Sequence, residues 1–190
     1  DKVMIKNIAI VSLSSGTLGE DFAKHEVNIG VKRLKDFGMN VTFMPHALKG
    51  IEYVKKHPAE RAADLLQALK EPDIDMILCA IGGDDTYRLL PYLFEQHELT
   101  EAVSDKIFLG FSDTTINHFM LHKVGMKTFY GQSFLADICE LDKTMLPYTQ
   151  KYFEELISTG TIKEVCPSDV WYEGRTDFSI AQIDTPLTSH

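Results

Sequence analysis

Two short stretches, Gly82-Gly83-Asp84-Asp85 and Gly110-Phe111-Ser112-Asp113, place small and acidic residues where an apolar run gives way to a helical pattern. The second offers a nucleophile. Residues 106–111 read as a short buried strand and residues 114–123 as a helix, so Ser112 falls on the turn between them. Such a turn lifts a hydroxyl clear of the sheet and aims the N–H groups of the helix start at whatever binds beside it, which is what a developing oxyanion requires. The same Ser-Asp-Thr also reads as an N-cap, its side-chain oxygen satisfying orphan N–H groups without reacting. The glycine-flanked elbow of the hydrolases is half present: Gly110 stands two residues before the serine, and Thr114 occupies the place of the second glycine.

The first stretch gives that turn a partner. Residues 75–81 form a strand pattern that runs into Gly82-Gly83, where a glycine pair lets main chain approach a ligand with its N–H groups free, or simply makes a tight turn. In an open parallel sheet, ligands bind beyond the carboxyl ends of the strands, so the two turns are on the correct side to share a site. Asp84 and Asp85 read either as carboxylates for acid/base work or as acidic residues drawn to a helix N-terminus. Arg88, one turn into that helix, is a candidate for an acidic substrate group or an exposed helix-face charge.

The runs 82–93 and 110–119 resemble the LD-carboxypeptidase family of serine peptidases, most nearly its microcin C immunity branch. His57 to Leu65, Phe129-Tyr130-Gly131-Gln132 and Pro167 to Trp171 fit the same resemblance, which therefore extends over nearly the whole chain. It implies that Ser112 is the nucleophile and that the backbone amides of Gly83 and Asp113 form the oxyanion hole, with Asp84 and Arg88 as candidate substrate-binding side chains. It also implies a triad completed by a glutamate and a histidine from a second, C-terminal domain that is missing from this chain, so the expectation is a fragment inactive by itself. Small peptides with a free carboxylate or acidic residue are the implied substrates: murein-derived L,D-tetrapeptides or, on the nearer motif match, peptidyl-nucleotides cut at the aminoacyl bond. No cofactor is implied, and a homodimer is the common assembly. Gln132 and Leu13 stand where proline is usual, departures that bear on loop shape.

No histidine in the chain reads as a replacement base. His118 and His122 lie about two and three helical turns beyond Ser112. Their i, i+4 spacing suits a metal pair, yet no carboxylate or cysteine pattern accompanies them, and a satisfied or surface pair is the plainer reading, so no metal is expected. The loop Ser14-Ser15-Gly16-Thr17-Leu18-Gly19 follows the first strand but lacks both a P-loop lysine and the dinucleotide glycine spacing; by resemblance it shapes the pocket.

The elements that position these residues alternate. Residues 5–13 and 40–44 read as strands, 25–37 as a helix closed by Gly38, and 58–69 as a helix with Ala62, Leu65, Leu66 and Leu69 on one face. Residues 128–130 give another strand and 146–160 another helix. This β-α rhythm predicts an α/β fold with a mostly parallel, flavodoxin- or Rossmann-like sheet and helices on both faces. Residues 1–163 form the expected nucleophile-bearing domain and 164–190 a linker toward a further domain.

Across 190 residues with 44% apolar content the chain holds one good core, and a net charge of −9 argues against nucleic-acid and anionic-membrane partners. Three scattered cysteines form neither a disulfide framework nor a metal motif. No leader pattern or membrane-length apolar run is seen, and the expected location is the cytoplasm. The reading from another class is a non-catalytic flavodoxin-like module whose glycine turns hold a small anionic ligand.

Overall fold

The computed structural model describes residues 5–190. Five strands, β1 (Asn7–Val11), β2 (Asn40–Phe43), β3 (Met76–Cys79), β4 (Ile107–Gly110) and β5 (Phe129–Tyr130), form one sheet in the order β2-β1-β3-β4-β5. All four pairings are parallel, with Ile8 opposite Val41 and Met76, and Leu109 opposite Phe129. The helices are α1 (Lys24–Asp36), α2 (Ile51–Lys56), α3 (Pro58–Lys70), α4 (Leu90–Phe94), α5 (Glu98–Ala102), α6 (Thr115–Lys123) and α7 (Pro147–Thr159).

Strand alternation divides the core in two. Ala9, Val11, Ile77, Cys79 and Phe108 face one side, where they pack with Leu65 and Leu69 of α3 and Leu121 of α6. Ile8, Ile10, Met76, Leu78 and Leu109 face the other, against Leu34 of α1 and Phe153 and Leu156 of α7. Central strands buried on both faces read as continuous apolar runs, which is why β1, β3 and β4 were legible in the sequence. The helix expected after the glycine pair is a 3-10 turn, Thr86–Leu89, that runs into the five-residue α4, so Arg88 lies on the turn; α2 and α5, with six and five residues, are too short for a 3.6-residue period to register in the sequence.

This topology sets where chemistry can occur. From β1 the chain crosses outward to β2, then returns past β1 to β3, so the sheet order reverses between β1 and β3. The loops after β1, β3 and β4 therefore lie side by side at the carboxyl edge, next to the reversal point where open α/β sheets bind ligands.

Beyond Glu164 regular structure is sparse: a bridge between Tyr172 and Ser189 and one helical turn, Ile180–Gln182. The segment nevertheless folds back on the body. Arg175 forms a buried 2.6 Å ion pair with Glu140, the His25 imidazole bonds the Phe178 carbonyl at 2.7 Å, and the Asp184 N–H donates to the Leu141 carbonyl. Trp171 and His190 exchange backbone hydrogen bonds, and their rings stack with centroids 4.3 Å apart.

The turn Phe134–Ile138 carries a titration that stability measurements can read. Burial pushes the Asp137 carboxyl up to about 6, although it accepts a 2.8 Å hydrogen bond from the Ser133 N–H. With the folded value above the unfolded one, near 3.9, the folded state binds more protons in between, so this contribution is lost as pH rises through about 6. Asp137→Asn keeps the acceptor and removes the titration. Chemical denaturation of the two proteins between pH 4 and 7 is expected to show the wild type losing stability relative to the variant as pH rises.

Candidate active site

Ser112 follows β4 and opens a single turn of 3-10 helix, Ser112–Thr114, that leads into α6. Its φ is +63°, in the left-handed region, where a side chain costs about 1–2 kcal/mol. No side-chain capping bond forms at this turn or at the start of α6, and the Ser112 hydroxyl makes no hydrogen bond among the described residues. The N-cap reading of Ser-Asp-Thr therefore fails, and the strained turn presents an exposed hydroxyl with no structural task. The Ser112 N–H donates to the Tyr130 hydroxyl at 3.1 Å, and the Thr115 hydroxyl donates to the Ser112 carbonyl at 2.5 Å.

The glycine turn lies against it. A methyl group built on Gly82 would stand 3.0 Å from Ser112 Oγ and 3.5 Å from the Asp113 nitrogen, while one on Gly83 would stand 2.2 Å from Ser14 Oγ. A side chain at Gly83 would collide with Ser14 unless that loop moved, and one at Gly82 would press on Ser112 tightly enough that the serine turn would have to give by a few tenths of an ångström. The Ser15 N–H donates to the Gly82 carbonyl at 3.2 Å, but no described acceptor takes the Gly83 N–H, and Asp113 occupies a helix-start position whose N–H has no partner within its turn.

Beneath these loops lies a polar network absent from the sequence reading. Asp113 Oδ2 accepts from the Ser14 hydroxyl at 2.5 Å and from the Thr86 N–H at 3.0 Å, so one carboxylate ties together the loops after β1, β3 and β4. The Thr86 hydroxyl donates to the Leu13 carbonyl and sits 2.9 Å from the Asn117 amide. Arg61, only 1% exposed, reaches from α3 to pair with Asp85 at 2.8 Å and donates to the carbonyls of Leu13 and Ser14. A charge on the apolar stripe of α3, four residues before Leu65, was the one sequence signal that could have exposed it.

The two aspartates of the glycine turn thus have different fates. Asp85 is a structural ion-pair partner, whereas Asp84 is exposed and hydrogen-bonds nothing among the described residues. Arg88 is turned toward α2, donating to the Lys55 carbonyl at 3.0 Å and standing 3.5 Å from Asp85. His118 is a satisfied core histidine: a carbonyl can only accept, so Nε2 carries the proton and donates to Gly110, while Nδ1 accepts from the Thr128 hydroxyl. Burial holds its pKa below the ordinary histidine value. His122 is exposed, and no cluster of three metal-ligating side chains occurs among the described residues. Burial pushes the Cys79 thiol up to about 12, leaving it an inert core group.

Two cavities of about 480 Å³ flank the sheet. One lies at its amino edge, around Asp75 and Lys106, the wrong end for these loops. The other adjoins the loops after β1 and β3, where Thr17, Phe22 and Ile81 meet Tyr172, Arg175 and Phe178 of the folded-back tail; Ser112 is not part of its wall. No described helix is long and apolar enough to cross a membrane.

Comparison with known proteins agrees with this architecture. The sequence profile of the LD-carboxypeptidase N-terminal domain matches residues 8–131. The putative carboxypeptidase YocD of Bacillus subtilis is 30% identical over 170 residues, 88% of this chain and 50% of its own length. The microcin C7 self-immunity protein MccF of Escherichia coli is 37% identical over 82 residues, 43% of this chain and 23% of its own. The crystal structure of an MccF-like protein from Streptococcus pneumoniae in complex with AMP superposes with a TM-score of 0.98 at 66% identity, over 98% of this chain and 55% of that one. The chain thus spans about half, or less, of the length of these relatives. Its five-stranded parallel sheet and the profile match across most of its length together show that it belongs to the family of the LD-carboxypeptidase N-terminal domain.

Proposed function

We propose that this chain is the nucleophile-bearing part of a serine amidohydrolase. The observation that carries the reading is Ser112: a left-handed serine with an exposed hydroxyl, packed against the Gly82-Gly83 turn, where the hydroxyl and the amides of Gly83 and Asp113 have no hydrogen-bond partner among the described residues. The hydroxyl attacks a substrate carbonyl, and the amides of Gly83 and Asp113 hold the oxyanion of the tetrahedral intermediate. Asp84 and the Arg88 donors not spent on Lys55 serve as substrate contacts at the rim. No histidine, aspartate or glutamate among the described residues hydrogen-bonds the Ser112 hydroxyl, so in this reading the glutamate and histidine of the triad come from outside the chain, which turns over nothing alone.

The proposed substrates are small acidic peptides or peptidyl-nucleotides in the cytoplasm. In support, the S. pneumoniae relative was crystallised with AMP, and MccF with aspartyl sulfamoyl adenosine. The test joins this chain to the remaining part of the S. pneumoniae protein and offers the fusion a murein-type L,D-tetrapeptide and an aspartyl-nucleotide amide, with products followed by mass spectrometry. Cleavage of the aspartyl-nucleotide in preference to the tetrapeptide is expected; the opposite preference would move the chain to the murein branch. Binding without cleavage of either would favour the alternative, a non-catalytic small-ligand module.

A further inference from the structure

Ser112, in the left-handed region, stands within a hydrogen-bonded circuit whose proton directions follow from chemistry. The Ser112 N–H can only donate, and it donates to the Tyr130 hydroxyl oxygen at 3.1 Å. The Ser112 carbonyl can only accept, and it takes the single proton of the Thr115 hydroxyl. The 3.3 Å contact between the Thr115 and Tyr130 hydroxyls is then left with one available proton, that of the phenol. The ring runs from Ser112 N–H to Tyr130, from Tyr130 to Thr115, and from Thr115 back to Ser112 carbonyl.

The sheet delivers the phenol to this place. In the β4-β5 register Tyr130 stands opposite Gly110, two residues before the serine. Its ring leans on His118 with centroids 5.3 Å apart, and that imidazole is fixed on both sides by Gly110 and Thr128. Tyr130 is 61% exposed, so core packing does not explain its presence, and its hydroxyl is the part with a task.

We infer that Tyr130 and Thr115 are positioning residues that close a ring of hydrogen bonds around the Ser112 peptide and fix the angle at which its hydroxyl meets the substrate carbonyl. This rests on Ser112 as nucleophile, whereas the ring itself is open to test without catalysis. In the 190-residue chain, Tyr130→Phe and Thr115→Val should each speed hydrogen exchange of the Ser112 amide about tenfold, read by NMR, with no change in thermal midpoint. Thr115→Ser keeps the hydroxyl and should match wild type, and the double variant should be no worse than either single, because a ring is broken once. Unchanged exchange in Tyr130→Phe overturns the ring. In the fusion with the S. pneumoniae portion, Tyr130→Phe should lower kcat about tenfold with KM held. A raised KM with kcat intact would make Tyr130 a substrate contact and overturn the positioning role. Hydrolysis that persists in Ser112→Ala would remove the nucleophile while leaving the exchange result to decide the ring.

Discussion

Ser112→Ala in the fused protein is expected to lower amide hydrolysis by about a thousandfold or more while leaving the fold unchanged. The size follows from the loss of covalent catalysis, since oxyanion amides and binding alone retain only a small part of a serine hydrolase's acceleration. The fold is spared because the hydroxyl makes no hydrogen bond among the described residues, so its removal orphans no partner. Ser112→Gly sharpens the experiment. At φ +63° a glycine avoids the left-handed penalty, and the variant should gain up to about 1 kcal/mol in chemical denaturation while losing as much turnover as the alanine variant. A position at which glycine is better for stability and serine is required for reaction marks strain retained for function. Equal or lower stability of the glycine variant would show that the surrounding hydrogen bonds, rather than the chain's own preference, dominate there.

The second large effect lies beneath the site. Arg61→Met removes a guanidinium that is 1% exposed and leaves the Asp85 carboxylate, 15% exposed, without its 2.8 Å partner. It also frees the Leu13 and Ser14 carbonyls that Arg61 Nη1 reaches. Breaking a fully buried pair from one side costs about 3–5 kcal/mol, and the loss here is expected at the lower end of that range because Arg88 stays 3.5 Å from the half-shielded Asp85 carboxylate. Asp85→Asn should cost less, since the amide oxygen still accepts from the guanidinium, although Arg61 is left as an uncompensated cation. The double variant should be more stable than additivity requires, and a cycle of denaturation measurements gives the coupling. An additive cycle would mean that Arg61 acts through its carbonyl contacts alone. Because Asp85 begins the helical turn that follows Gly82-Gly83, the same substitution should loosen the glycine turn even where the fold survives.

Much of this arrangement was legible in the chain, for identifiable reasons. The three central strands are apolar on both faces, and the glycine pair and Ser112 each close such a run, so their place at the carboxyl edge follows from pattern alone. The absence of a capping bond at the Ser112 turn among the described residues, and the positive φ of the serine, leave no trace in periodicity. Asp84 and Asp85 are adjacent and identical in type, and what separates them is the pairing of Asp85 with Arg61, 24 residues upstream, and with Arg88. The Asp113 side chain illustrates the same limit: its backbone amide was singled out, while its carboxylate bonds Ser14, 99 residues away. Tyr130 needed the β4-β5 register, and a two-residue strand carries little of that in its sequence. The glycine two residues before the serine has a packing cause too, since a methyl group there would stand 2.7 Å from both Cys79 Sγ and Thr114 Oγ1.

The measurement that bears most directly on Ser112 is the intact mass and peptide map of the fused protein after treatment with a fluorophosphonate, beside its Ser112→Ala variant and the 190-residue chain alone. The expected result is a single adduct on Ser112 in the fusion, with none in the variant and none in the chain alone, where no described residue serves as base. An adduct on another residue, or hydrolysis that survives in the variant, would contradict the assignment of Ser112 as the nucleophile.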